Sequence, residues 1–292
     1  MSESTPVHVP VMPGAVIEWL APQPGGVFVD GTLGGGGHAK LLAAHVGPTG
    51  TVIGIDRDPM AIEAAEFNLS GMSMRIAQGN YCDIPEILKS IDMEFVDGIL
   101  LDLGLSSDQL ADHKRGFSFS SDGPLDLRFD TTRGEPTWRW IHRMSAEDLA
   151  DVIFNYGEER YSRRIARSIV EKRRLSPIRT TAEMAALVRR CVPSSKDRID
   201  PATRTFQALR IASNNELKSL EIALRRLPNC LKTGGRLAII SFHSLEDRPV
   251  KEAFRDDPRL EVLTKKPLRP SEEEIKQNPR SSSAKMRVAA RL

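Results

Sequence analysis

Three aspartates and a run of glycines mark where this chain could do chemistry. Asp30-Gly31-Thr32-Leu33-Gly34-Gly35-Gly36-Gly37-His38 stands between the apolar run Val27-Phe28-Val29 and a helical pattern. Glycines at such a turn let the backbone approach a ligand closely and take positive φ without a Cβ clash. Asp56 ends the next apolar run, at the distance of roughly 20 residues where a carboxylate can accept both ribose hydroxyls of an adenosine. Asp102 ends the run Val96 to Leu101, at the carboxyl edge where open α/β sheets bind their ligands. There it can position a cofactor or accept a hydrogen bond from an acceptor amine, unless it only caps the following loop. Tyr81, after a further probable strand, offers a ring to stack on adenine.

Two cofactors fit this pattern, a nicotinamide dinucleotide and S-adenosylmethionine. The dinucleotide fingerprint needs G-x-G-x-x-G with pyrophosphate on the helix N-terminus. Gly34, Gly36 and Gly37 do not have that spacing. Asp30 is unfavourable beside pyrophosphate but suits a ligand that carries an ammonium and a sulfonium. Charge therefore favours S-adenosylmethionine and leaves an NAD-dependent oxidoreductase as the alternative. Of the histidines, His38 is expected to meet the loop or cofactor through its backbone. His243 lies in the polar turn Ser241 to Arg248, where an RNA contact or a structural hydrogen bond is expected ahead of general-base work.

The elements that must hold these residues follow from hydrophobic spacing. Short apolar runs alternate with helical patterns over the first hundred residues, which predicts βαβ units and a parallel sheet. A helix carrying Leu41 and Leu42 on its inner face follows the glycine loop. Thr51 to Ile55 forms the second strand, and Pro59 to Leu69 a helix with Pro59 in its first turn.

From about Gln109 to Thr203 only helical patterns stand out. Ser145-Ala146-Glu147-Asp148 predicts a capping box ahead of Leu149, Val152 and Ile153, with Gly157 as the stop. Thr180 and Glu183 open another helix bearing Met184, Leu187 and Val188. Leu217, Leu220, Leu224 and Leu227 then form an amphipathic stripe, and Lys232 to Gly235 a turn into the strand Arg236 to Ser241. The expected architecture is α/β, a Rossmann-like core (1–108 and 204–292) interrupted by an all-helical insertion (109–203), with a basic C-terminal tail.

The 292 residues carry a net charge of +2, too small to indicate nucleic-acid binding without regard to where the charges lie. No apolar run follows a basic N-terminus and none approaches the length of a membrane span, so a cytoplasmic protein without a membrane partner is expected. Cys82, Cys191 and Cys230 form no CxxC pair, which argues against a zinc site and for small buried side chains.

Taken together, Asp30 to His38, Asp56-Arg57-Asp58, Gly98 to Gly104 and Ser106-Ser107 with Gln109 resemble the MraW family of small-subunit ribosomal RNA methyltransferases. The likeness runs on through Arg115-Gly116-Phe117-Ser118-Phe119, Asp122 to Asp126, Tyr156 to Arg160, Thr203 to Gln207 and Ile240 to Arg248, so it spans essentially the whole chain. It implies a methyltransferase core interrupted by a helical domain, and transfer of a methyl group from S-adenosylmethionine to the N4 amine of a decoding-centre cytidine in 16S rRNA. Its cofactor site carries over to Gly36, Gly37, His38, Asp56, Tyr81, Asp102 and Gln109. His8-Val9-Pro10-Val11 also fits, whereas Pro13-Gly14, Ser213, Ser282 and Ala290 depart from the family's usual residues.

An enzyme acting on a cytosine amine should hold the nitrogen in line and draw off its proton. Asp102 is the candidate for holding the amine, although Leu103-Gly104-Leu105-Ser106 after it lacks the prolines and aromatic ring common in amino methyltransferases, and a separate proton acceptor is left unassigned. RNA also requires positive charge. Arg160, Arg163, Arg164, Arg167, Lys172, Arg173, Arg174 and Arg179 cluster in one stretch, and Lys285, Arg287 and Arg291 lie near the C-terminus. Tyr156, Tyr161 and the triplet Trp138-Arg139-Trp140 stand beside them and are expected to be mostly packed within the insertion.

Overall fold

The computed structural model describes residues 10–193 and 200–292. His8 and Val9 of the N-terminal motif lie outside the described residues. The chain divides into two compact units, one of residues 10–106 with 217–292 and one of residues 107–216.

The first unit opens with α1 (Pro13–Leu20), β1 (Val27–Asp30), α2 (Gly37–Val46), β2 (Thr51–Asp56), α3 (Pro59–Asn68), β3 (Met74–Gln78), α4 (Ile84–Ser90) and β4 (Val96–Asp102). The second unit contributes α5 (Ser107–Ala111), α6 (Thr137–Ile141), α7 (Ala146–Gly157), α8 (Ser162–Leu175), α9 (Thr181–Cys191) and α10 (Thr203–Asn214). The first then resumes with α11 (Glu216–Arg226), β5 (Leu231–Ser241), α12 (Ser244–Asp256), β6 (Leu260–Val262), α13 (Glu272–Gln277) and β7 (Lys285–Arg291).

The seven strands form one sheet in the order β3-β2-β1-β4-β5-β7-β6. All pairs are parallel except those of β7, which runs antiparallel to β5 and β6. This is the expected Rossmann-like α/β core. Strand order reverses between β1 and β4, the switch point outside whose carboxyl ends such sheets bind ligands.

Both faces of the sheet are covered, and side-chain alternation explains how. Val29, Ile99, Leu101, Leu237 and Ile239 point to one face, where Leu88 of α4, Leu220 and Leu224 of α11 and Phe254 of α12 close the core. Phe28, Leu100, Ala238 and Ile240 point to the other, against Val16 and Leu20 of α1 and Leu42 and Val46 of α2. Leu42 is buried as expected, but Ala39 is its inner-face partner and Leu41 is only half-buried. β5 is assigned from Leu231, but Lys232 to Gly235 bulge out of the ladder with Gly234 at φ 79°, and regular pairing with β4 and β7 begins at Arg236, as expected of a turn there.

The expected basic tail is also not a tail. Lys285 to Arg291 is β7, and the Arg287 guanidinium lies buried with its Nε 2.7 Å from Asp247 Oδ1. No helix among the described residues is long and apolar enough to cross a membrane.

The helical unit is larger than the expected 109–203, because α10 belongs to it and packs on α7. A Cβ on Gly157 would stand 2.5 Å from the Arg204 carbonyl oxygen, so this glycine permits close helix packing. α7 ends on Gly157 as expected, with the left-handed cap on the next residue, Glu158 at φ 50°. Ser145 caps α7 by accepting from Asp148 N–H, and Thr180 and Glu183 form the reciprocal capping box of α9.

Asn214, at the end of α10 and 2% exposed, ties the unit together. It accepts from Phe129 N–H and donates to the carbonyls of Arg210 and Leu127, the latter residue held at φ 60°. Asn214→Ala would leave the buried Phe129 N–H and Leu127 carbonyl without these partners. At about 1–3 kcal/mol each, the expected loss is about 2–6 kcal/mol. Denaturant unfolding checks this; a midpoint equal to wild type would refute the role.

Candidate active site

Backbone hydrogen bonds assemble the glycine loop at the switch point. Gly31 N–H donates to Leu100 O of β4 and Leu33 N–H to Ile55 O of β2, so the loop bridges the ends of both neighbours of β1. A Cβ on Gly31 would lie 2.5 Å from Leu101 Cδ2 and 3.1 Å from Tyr81 Cβ, which explains the need for glycine there and sets Tyr81 against the start of the loop. Gly36 caps α2 at φ 86°, and its missing Cβ makes room for Leu69.

Asp56 both ends β2 and anchors this loop. Its Oδ2 accepts from Gly34 N–H at 2.9 Å and its Oδ1 from Asp58 N–H at 2.9 Å. Arg57 N–H is a further backbone donor; of the about four acceptor sites of a carboxylate, capacity remains for a ribose hydroxyl. Thr32 was not singled out from sequence, yet its Oγ1 accepts from Asp102 N–H at 2.7 Å and locks the loop to the end of β4.

The ionisable groups converge. His38 stands in the first turn of α2 with its ring buried, Nε2 lying 3.5 Å from Asp102 Oδ2. The ring thus stands beside Asp102, in addition to the backbone contact expected of His38. Asp30 is 1% exposed, with Thr32 N–H donating to its Oδ1 at 3.2 Å. Burial pushes its carboxyl up to about 6, opposed by nearby His38 and reinforced by the charges of Asp102 and Asp56. Burial likewise pushes Asp56 up to about 6 against the pull of its backbone donors, the N–H groups of Asp58, Gly34 and Arg57. Asp30 Oδ2, Asp102 Oδ1 and both nitrogens of His38 are buried without a hydrogen-bond partner among the described residues.

Mutually repelling, partly unsatisfied carboxylates of this kind call for a cation. An ammonium and a sulfonium fit the cluster; a pyrophosphate would add to the repulsion. S-adenosylmethionine therefore suits these residues and a nicotinamide dinucleotide does not.

The burden on Asp30 is measurable. Its folded-state value of about 6 lies above its unfolded 3.8, so the folded protein binds extra protons in that window. The stability it contributes accordingly falls as pH rises from about 4 to 6 and stays low above. Asp30→Asn keeps an acceptor for Thr32 N–H and removes the charge. At pH 7.5 the ligand-free variant should melt above wild type, by up to about 3 kcal/mol at 1.36 kcal/mol per pH unit, with the gain fading toward pH 4. A lower melt at pH 7.5 would contradict the account.

Of the residues expected at the site, Gly36, Gly37, His38, Asp56, Tyr81 and Asp102 thus all lie at the carboxyl edge of β1, β2, β3 and β4 or on the turns just after them. Gln109 does not share that unit. It is buried in α5 of the helical unit, and its part in cofactor binding rests on its motif.

The helical unit displays most of the expected basic residues. Arg160, Arg163, Arg164, Arg167, Arg174 and Arg179 are exposed, while Ile165, Ala166 and Ile169 turn the other face of α8 inward. Lys172 and Arg173 are half-buried instead, donating to Ser176 Oγ and to the Ile141 carbonyl. Trp138 and Trp140 are likewise half-buried, with the Arg139 and Arg179 guanidinium groups over the Trp138 ring and Trp140 Nε1 donating to Ser213 Oγ.

A family model described as the MraW methylase family matches residues 5–292. The chain is 51% identical to the ribosomal RNA small subunit methyltransferase H of a Cyanothece species, over 98% of this chain and 95% of that one. It is 48% identical to the protein of the same name from Rhodopirellula baltica, over 98% and 91%. Among solved structures, TrmN from Thermus thermophilus aligns with 96% of this chain and 48% of its own at 14% identity and a TM-score of 0.47. Matched nearly end to end, and about half identical to these relatives, the chain belongs to the MraW methylase family and takes S-adenosylmethionine as its methyl donor.

Proposed function

We propose that this protein methylates the N4 amine of a cytidine in the decoding centre of 16S rRNA, at the ribosomal P site and within the small subunit, in the cytoplasm. The observation that carries the methyl-transfer reading is the cluster of Asp30, Asp56, Asp102 and His38 at the switch point of the sheet. The RNA substrate is supported by the printed name of the relatives and by the exposed arginines of α8 and its flanks.

When bound, S-adenosylmethionine supplies a methyl group made electrophilic by its sulfonium. Asp56 would hold the ribose, Tyr81 the adenine, Asp30 the positive charge, and Gly36, Gly37 and His38 the turn that cradles the ligand, with Gln109 as a further contact. Asp102, at the end of β4, accepts a hydrogen bond from the cytosine amine. That bond turns the nitrogen lone pair, normally delocalised into the ring, toward the methyl group. The base leaves its stack to reach this edge, and arginine contacts to phosphate hold the surrounding RNA.

The experiment is incubation of methyl-labelled S-adenosylmethionine with small subunits from cells that lack the gene. Label should enter the RNA fraction. Label confined to ribosomal protein, or stabilisation of the enzyme by NAD in place of S-adenosylhomocysteine, would overturn the proposal.

A further inference from the structure

Beyond Asp102, the mechanism needs a group that takes the proton from the methylated amine. We propose that His243, held by the buried carboxylate of Glu246, is this proton acceptor, a role that rests on the amine reading above.

The placement comes from the sheet. Asp102 of β4 pairs in register with Ile240 of β5, and Leu103 N–H donates to Ile240 O at 2.9 Å. The two strands therefore leave the carboxyl edge side by side. A Cβ on Gly104 would stand 2.8 Å from the Phe242 ring, so the segment after Asp102 lies directly against the segment that carries His243. His243 is the N-cap of α12, which fixes its backbone, and Glu246 sits in the first turn.

Glu246 is 3% exposed, and its Oε2 accepts from Phe242 N–H at 2.9 Å. Its other oxygen, Oε1, lies 3.0 Å from His243 Nε2, an ion-pair distance without hydrogen-bond alignment in the ligand-free chain. A buried carboxylate next to one imidazole nitrogen orients the ring and steadies the charge it gains with a proton. Nδ1 is likewise screened from water without a hydrogen-bond partner among the described residues, so its acceptor capacity is left to a ligand. Bridging Asp247 are Lys285 and Arg287 of β7, whose ion pairs hold the next residue of α12 and keep this turn rigid.

The step balances. The N4 lone pair forms the new N–C bond, and the methyl–sulfur bond breaks with its electron pair going to sulfur, which becomes neutral. The N–H proton passes to His243, and then to solvent as the product leaves. Drawing that proton off is worth about 10²–10⁴ in rate for a well-placed base.

The test uses His243→Ala and His243→Gln in the full-length protein. Both should bind S-adenosylhomocysteine within about threefold of wild type by calorimetry, while methyl transfer to small subunits falls by about 10²–10⁴. Added imidazole should restore part of the rate in His243→Ala only. Independently of turnover, the His243 ring signals of isotopically labelled wild type should shift when cytidine 5′-monophosphate is added to the S-adenosylhomocysteine complex.

Transfer at the wild-type rate by His243→Ala would overturn the proposal. So would lost transfer with lost cofactor binding, or ring signals that ignore the nucleotide together with no imidazole rescue. Nucleoside analysis of wild-type product separates the two readings: label elsewhere than N4 sinks the amine reading, while the imidazole comparison still judges His243.

Discussion

Asp102→Ala should transfer methyl groups at less than about a hundredth of the wild-type rate while melting as a folded protein. The expected loss is the 10²–10⁴ commonly carried by one positioned acceptor in a water-poor site. The fold should survive because the side chain supports little else. Its backbone N–H, not its carboxylate, makes the bond to Thr32 Oγ1, and its Oδ1 is buried without a hydrogen-bond partner among the described residues. Removal of the charge also relieves Asp30, which Asp102 pushes upward. A modest rise in the melting temperature of the ligand-free variant is therefore expected alongside the lost activity. Full activity in Asp102→Ala would remove the residue from the mechanism; an unfolded variant would show that its role is structural.

Asp56→Ala should weaken S-adenosylhomocysteine binding by at least about 100-fold, which is about 2.7 kcal/mol. Two losses combine. Hydrogen bonds from the ribose to a charged acceptor contribute about 1.5–3 kcal/mol each, and the bond that draws Gly34 N–H onto β2 disappears with them. A double-mutant cycle divides the two. An S-adenosylhomocysteine analogue lacking the ribose 2′-hydroxyl should bind wild type more weakly than the parent compound, yet bind Asp56→Ala as well as the parent does. If the variant still discriminates between the two ligands, the ribose contact lies elsewhere and Asp56 acts only by shaping the loop.

Binding should also weaken as pH falls through about 6, where Asp30 and Asp56 gain protons. The ligand-free protein gains stability from these same groups over that range. Opposite pH trends for affinity and for this part of stability distinguish a cation-binding acid cluster from carboxylates that merely brace the fold.

Much of this architecture is legible in the sequence, because its signals are local. The glycine loop, the acids that end β2 and β4 and the helix caps at Ser145 and Thr180 depend on a few neighbouring residues. What fails depends on distant partners. An apolar helix face such as that of α10 can pack on a sheet or on another helix, and it is the fit of Arg204 O against Gly157, with the bonds from Arg204 to Glu158 O and from Gln207 to Tyr156 O, that places it with α7. Lys285 and Arg287 look like an RNA-binding tail by charge, although the alternation with Met286 and Val288 is that of a strand. The acid that neutralises them, Asp247, lies 38 and 40 residues away.

The same logic applies to the site. Asp30 could be read as an acid before the loop, but not as one member of a buried cluster with His38 and Asp102. That cluster exists because β1 and β4 are neighbours, although 71 residues of chain lie between Asp30 and Asp102 at their carboxyl ends. Nothing local singles out Glu246 within the run Ile240 to Arg248; its burial beside His243 follows from the turn between β5 and α12.

The most direct test of the account is to digest the RNA of small subunits after incubation with enzyme and methyl-labelled S-adenosylmethionine, and to identify the labelled nucleoside. Label in N4-methylcytidine at a single decoding-centre position is the predicted result. Label in any other nucleoside, or none despite tight S-adenosylhomocysteine binding, would contradict the assignment of the cytosine amine as acceptor.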